Sequence, residues 1–324
     1  MAQDGAKRIP MEVDFERSFL SWVAAAGGCL RALGCECDKV DVAGHSGYAF
    51  HMCVNSTVDV GGPTMLPWSD LADGLRSLGR STMSYQVGPY ASEGEDWKGG
   101  ETMCLELAKR EVDAGRPSVL YGAAEPEFVI VVGYEGNEWL FLGLVDGQEY
   151  RIANGDLKDP YGPYLLMFPS TSHAKPVVAD RAALVNALNF LHRRPVMADQ
   201  RFGLAAYEQW IAALQASRST AFGGSYAAES YSQGKQYARD FIGRLAGRNP
   251  HAAGPLDEAH VAYLECAEAM ATVARLIPFP QGAGNTEDPV TITQACEALA
   301  TARDAETRAA AAIERALAAD WPSP

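Results

Sequence analysis

A few side chains in this 324-residue chain combine a reactive group with a context that could use it. Cys29 stands in Gly27-Gly-Cys-Leu-Arg-Ala-Leu-Gly34, where small neighbours would let a thiol on a helix open onto a cleft as a nucleophile. Such a thiol should be alkylated ahead of Cys104, Cys266 and Cys296, whose helical patterns read as core. The competing reading is packing, because Cys29 follows Trp22 by seven residues and precedes Leu33 by four, on or beside an apolar helix face. His45, in Gly44-His-Ser-Gly47, is the best-placed base by local context, since its flanking glycines allow a ligand to approach the backbone. A histidine on a surface loop is the alternative. Glu127 follows Pro126 and opens the apolar run Phe128 to Val132, so it stands where a strand begins, with Glu125 close enough to couple to it. A carboxylate at the edge of a cleft could act as general acid or base, and the same position also suits a solvated first strand residue.

Other chemistry is less specific. Cys35, Cys37, His51 and Cys53 are residue types that bind zinc, but structural zinc ligands usually pair with two to four residues between them, and a Cys-x-Cys with a His-x-Cys, one residue between each, is too tight. No metal and no cofactor is expected. Tyr207 and Trp210, three apart, share one helix face in an aromatic stretch that also holds Phe222, Tyr226, Tyr231 and Tyr237. Such a stripe reads either as core or as the wall of a small-molecule pocket, where a tyrosine keeps its polar tip.

The elements that must position these groups change character along the chain. Apolar residues at Phe15, Phe19, Trp22, Ala26, Leu30 and Leu33 recur at helical steps and predict a helix ending at Gly34. A Gly-rich stretch over 43 to 50 leads into a short apolar segment, and Ser69 predicts the cap of a helix running to Leu78. A strand over 81 to 87, a helix over 101 to 114 and a cluster of strands ending near Phe168 follow. Pro169 to Pro176 reads as a linker. Beyond it only helices are predicted, over 180–192, 202–216, 225–245, 257–276 and 293–319, with capping-box spacing at Thr291 and Gln294.

Composition bounds the role. With 27 Lys and Arg against 41 Asp and Glu, the net charge of −14 argues on electrostatic grounds against a nucleic-acid or anionic-membrane role, and no basic stripe appears along the chain. No apolar run approaches the roughly 20 residues that span a bilayer, and the first ten residues lack an apolar signal core. Seven cysteines, four of them between Cys29 and Cys53, favour reduced thiols and a cytoplasmic setting.

Taken together, Gly28-Cys-Leu-Arg-Ala-Leu-Gly34, Gly44-His-Ser-Gly-Tyr-Ala-Phe50, Gly62-Pro-Thr with Trp68, the Pro126-Glu-Phe run ending in Gly133-Tyr134, and Gly203-Leu-Ala-Ala-Tyr-Glu-Gln-Trp210 resemble papain-like proteins of the bacterial double-glycine peptidase and butirosin biosynthesis protein H N-terminal type. The resemblance covers most of residues 15 to 245. It implies a nucleophile about thirteen residues before Gly34, which is Ser21 here, and it places Glu127 where the family keeps its histidine. The acidic partner that it implies falls near Gly143, with Asp146 close by. A conventional Cys-His-Asp peptidase is therefore not expected.

The resulting expectation is an α+β protein, with a papain-like domain over 12–170 carrying a small antiparallel sheet and an all-α helical bundle over 177–320. The first functional reading is a hydrolase or acyl-transfer enzyme acting on a small molecule in the cleft between the domains. Cys29 or Ser21 would be the nucleophile and His45 or Glu127 the base, while Tyr48, Glu125, Tyr207 and Trp210 would contact the ligand. The alternative is a catalytically degenerate protein that only binds a small ligand. The partner expected is that small molecule, without nucleic acid or membrane, and a homodimer is left open.

Overall fold

The computed structural model describes residues 5–64, 66, 68–86, 95–123, 126–143, 147–154, 164–194, 198–280 and 287–322. In chain order the elements are β1 (Lys7–Arg8), α1 (Ser21–Ala32), α2 (Lys39–Ser46), β2 (Cys53–Asn55), α3 (Gly61–Thr64), α4 (Trp68–Gly74), β3 (Met83–Gln86), α5 (Glu95–Asp113), β4 (Ser118–Tyr121), β5 (Phe128–Glu135), β6 (Glu138–Leu142), β7 (Glu149–Ala153), β8 (Tyr164–Met167), α6 (Pro176–Leu191), β9 (Gln200–Phe202), α7 (Ala205–Gln215), α8 (Ala221–Arg248), α9 (Ala253–Leu276) and α10 (Pro289–Leu317). The protein is α+β, with an antiparallel sheet followed by a helical C-terminal region. Among the described residues no helix is long and apolar enough to cross a membrane.

The chain divides into two compact units, Met1–Val42 with Trp68–Ala174 and Ala43–Pro67 with Lys175–Pro324. The later boundary falls inside the Pro-, Ser- and Thr-rich stretch read as a linker. The expected single cut is corrected by the segment 43–67, which belongs with the helical unit because β2 pairs antiparallel with β9.

In the first unit the sheet runs β3-β8-β4-β5-β6-β7, and β1 pairs with β5. Every residue of the apolar run Phe128 to Tyr134 is buried, so both faces of β5 are covered, as its unbroken hydrophobicity predicts. The register shifts between Val131 and Gly133, and a Cβ at Gly133 would stand 2.6 Å from the Lys7 carbonyl. That glycine lets β1 close on the bulged strand. Helix α1 packs on β4 and β5 and is buried on every side from Ser21 to Leu30, the behaviour of an all-round apolar helix. It starts at Ser21, six residues later than the periodicity predicts, because Leu20 leaves the helical region and its N–H donates to the Ser18 hydroxyl at 3.2 Å. A serine side chain offering the backbone a local acceptor competes with the helix ladder there.

In the second unit α8 packs on α9, α9 on α10 and α10 on α7. The carboxylate of Asp288 caps α10 by accepting the Thr291 N–H at 2.8 Å, in place of the Thr291 and Gln294 box. Strand β9 falls between the helices predicted over 180–192 and 202–216, overlapping the second only at Phe202, and corrects the expectation of helices alone; three residues are too few for periodicity to reveal.

Candidate active site

Two residues 106 positions apart meet in the first unit. Ser21 is the first residue of α1, and Glu127 immediately precedes β5. The Ser21 hydroxyl donates to Glu127 Oε2 at 2.5 Å, and its oxygen accepts the Phe128 backbone N–H at 3.2 Å. Local folding explains the meeting. Gly122 turns the chain with φ +82° and its N–H donates to the Glu127 carbonyl at 3.0 Å, which fixes how β5 begins, while α1 lies across β4 and β5.

The electrostatics around Ser21 Oγ have one sign. The start of a helix presents the positive end of the macrodipole, and the Phe128 N–H points at the same oxygen, so both favour negative charge on it. The carboxylate lies within the distance at which a general base removes a proton. Ser21 is buried and Glu127 half-buried. Phe128, which follows Glu127, and Trp22, which follows Ser21, belong to one aromatic group: Trp68 and Phe128 with centroids 4.6 Å apart, Tyr121 and Phe128 at 4.9 Å, Trp68 and Tyr164 at 5.9 Å, and Trp22 and Trp68 at 6.4 Å. Glu125 and Asp146 lie outside the described residues.

Cys29 does not join them. It is wholly buried in the interior of α1, and desolvation pushes its thiol well above the ordinary range, opposed only by the charge of Arg31. A thiolate is the reactive form, so this is a packed cysteine, and the cleft-side reading of it is corrected. Native protein should be alkylated first at half-buried Cys35 and Cys296, while Cys29 should stay unmodified until the chain unfolds. Mass spectrometry after brief iodoacetamide treatment checks this, and a Cys29 adduct formed as fast as the Cys35 adduct would reverse the assignment.

His45 also lies elsewhere, in the last turn of α2 within the second unit, so the loop reading is corrected. Asp38, whose side chain accepts the N–H groups of Val40 and Asp41 at 2.9 and 3.1 Å, starts the helix that the glycines obscured. Those glycines serve packing: a Cβ on Gly44 would stand 2.2 Å from the Phe241 ring, and Gly47 turns with φ +85° against Phe190. The His45 ring meets Phe241 edge-on at 5.1 Å. Burial lowers its pKa from 6.5 to about 4, with Asp180 pulling upward and Arg248 downward. Between about pH 6.5 and about 4 the unfolded chain binds this proton and the folded one does not, so stability falls as pH drops through that window. The loss levels off at about 3 kcal/mol below pH 4. Denaturant titrations of wild type and His45→Gln at pH 7 and pH 4 should show the variant losing less on acidification. Equal losses would remove His45 from the acid response.

Tyr48 is half-buried in a 3-10 turn, its ring 6.4 Å from His51. Tyr207 and Trp210 are fully buried inside the helical unit, which corrects their reading as an accessible pocket wall. The Trp210 ring packs against Tyr231 at 6.0 Å. Tyr207 leads to a cluster that sequence reasoning missed. Lys235 Nζ donates to Glu306 Oε1 at 2.6 Å with both side chains fully buried, and Glu306 also accepts the hydroxyls of Tyr207 at 2.7 Å and Tyr263 at 3.2 Å. Cys266 Sγ lies 3.7 Å from the Tyr207 hydroxyl. Burial first pushes both phenols well up, followed by Cys266 and then Glu306 at Tyr207 and by Glu306 and then Cys266 at Tyr263. A signal for it exists in each helix. Lys235 stands at a helical step between Tyr231 and Ala238, and Glu306 between Ala302 and Ala309, so each interrupts an otherwise apolar stripe.

Among the described residues no group of three or more His, Cys, Asp or Glu gathers to hold a metal ion, and Cys35 and Cys37 fall in a different unit from His51 and Cys53. Compared with known proteins, the chain matches no family model and no curated sequence.

Proposed function

We propose that this protein is a hydrolase or acyl-transfer enzyme for a small molecule, with Ser21 as nucleophile and Glu127 as general base. The single observation that carries the reading is the hydrogen bond from the Ser21 hydroxyl to the Glu127 carboxylate at the start of α1. These are the two positions that the papain-like resemblance assigns to nucleophile and base. In the reaction the Ser21 proton passes to Glu127 as Oγ attacks the acyl carbon, and Glu127 returns that proton to the departing alcohol or amine as its bond to the acyl carbon breaks. The helix terminus and the Phe128 N–H favour charge on Oγ, and the acyl group is carried on Ser21 until water or an acceptor takes it.

A second reading has its own support. Ser21 is only 5% exposed and its oxygen already accepts the Phe128 N–H, which suits a retired catalytic pair in a protein that binds a ligand without transforming it. A fluorophosphonate probe separates the two. Covalent labelling of Ser21, mapped by peptide mass spectrometry and absent in Ser21→Ala, is expected of the enzyme. An unlabelled Ser21 in folded protein, together with no turnover in an ester and amide screen, would leave the binder.

A further inference from the structure

We propose that the Ser21 site selects a neutral aromatic acyl group, held against Trp68 and Tyr121. This rests on the functional reading above and narrows its substrate class.

The argument starts from the chemistry of the surface beside the reactive pair. Phe128 follows Glu127 directly, and its backbone touches Ser21. Two rings lie on the Phe128 ring, Trp68 at 4.6 Å with an interplanar angle of 56° and Tyr121 at 4.9 Å and 49°. Tyr121 faces Phe128 directly across the β4–β5 pairing, so their side chains share one face of the sheet. Phe128 itself is buried, whereas Trp68, Tyr121 and Glu127 are each half-buried. The two residues whose rings flank Phe128 are thus partly open to solvent.

Polar groups nearby are engaged within the protein. The Tyr164 hydroxyl donates to the Trp68 carbonyl at 3.4 Å, and burial pushes its phenol well above the ordinary range, so it stays neutral. Ser21 donates to Glu127 and accepts from Phe128. An anionic acyl group would meet the Glu127 carboxylate. A small alkyl group would leave the Trp68 and Tyr121 rings wet. A flat neutral ring adds an aromatic partner at tilted geometry, an arrangement worth more than its buried area alone.

The test compares p-nitrophenyl benzoate, hexanoate, acetate and monosuccinate, which share one leaving group, with rates normalised to those of hydroxide. We expect kcat/KM for benzoate to exceed acetate and hexanoate by about tenfold, with monosuccinate slowest. Trp68→Leu and Tyr121→Leu, made separately so that one misfolded variant does not decide the matter, should each shrink the benzoate preference severalfold. Benzamide and acetamide binding to Ser21→Ala, followed by tryptophan fluorescence, supplies the second readout. Benzamide binding without any wild-type turnover would support the aromatic site while removing the catalytic reading. Labelled Ser21 with equal benzoate and acetate rates, or a hexanoate preference, would overturn the aromatic inference and leave the catalytic reading standing.

Discussion

Replacing Lys235 with alanine should lower the unfolding free energy by about 3–5 kcal/mol, the cost of leaving a buried charge without its partner. Glu306 would keep the hydroxyls of Tyr207 and Tyr263 but lose the Lys235 cation bonded to it, at a place with no exposure to water. Against a total stability of about 5–15 kcal/mol, that loss brings the chain close to unfolding at ambient temperature. The pair itself need not be strongly stabilising, because desolvating two charges offsets much of their attraction. The double variant Lys235→Met with Glu306→Leu should therefore be far less damaged than Lys235→Ala, and so more stable than additivity of the single changes allows. Urea titrations followed by far-ultraviolet circular dichroism measure all of these. A loss below about 1 kcal/mol in Lys235→Ala would mean that water reaches Glu306 freely.

Glu127→Gln should lower kcat/KM by about 10²–10⁴-fold on any ester that the wild type hydrolyses, the range expected when a positioned general base is removed. The amide keeps the shape and can still accept the Ser21 proton as a hydrogen bond, so the contact at 2.5 Å should relax without a change in fold. What disappears is the negative charge that draws the proton off Oγ. Ser21→Ala should lose at least as much, and the double variant no more than the worse single one, since residues acting as a unit are not additive. Full turnover in Glu127→Gln would refute its role as base. A loss shared equally between substrate binding and unfolding temperature would assign it to structure alone.

Part of this candidate site was legible in the chain, and the legible part is that of local chemistry. Glu127 stood out because Pro126 and a β-branched run pin it to the start of a strand, and β5 does begin one residue later. Ser21 was reached only by counting along the papain-like resemblance; nothing in its own neighbourhood marks a serine at a helix start as reactive. Cys29 and His45 misled for one shared reason. Small residues beside a reactive group are ambiguous between room for a ligand and room for another element. At Gly28 the space belongs to the Asp14 carbonyl, 2.2 Å from a notional Cβ, and at Gly44 to Phe241. Tyr207 and Trp210 misled similarly, since an aromatic pair on one helix face looks the same whether that face meets a ligand or three other helices.

Periodicity and composition by themselves determined the class of the protein: a first half that mixes helices and strands, a largely helical second half, and an acidic charge. These follow from near-neighbour rules, the 3.6 and 2 residue repeats and the charge sum, which need no knowledge of what packs where. Tertiary structure alone decided the rest. It joined Ser21 to Glu127 across 106 residues, moved 43–67 into the helical unit through the β2–β9 pairing, and set Lys235 against Glu306 across 71 residues. The physical reason is that a side chain's reactivity depends on its desolvation and on its partners, and both come from segments far along the chain. Cys29 and Ser21 sit eight residues apart on one buried helix; the chain's folding left the thiol with only packing around it and gave the hydroxyl a carboxylate.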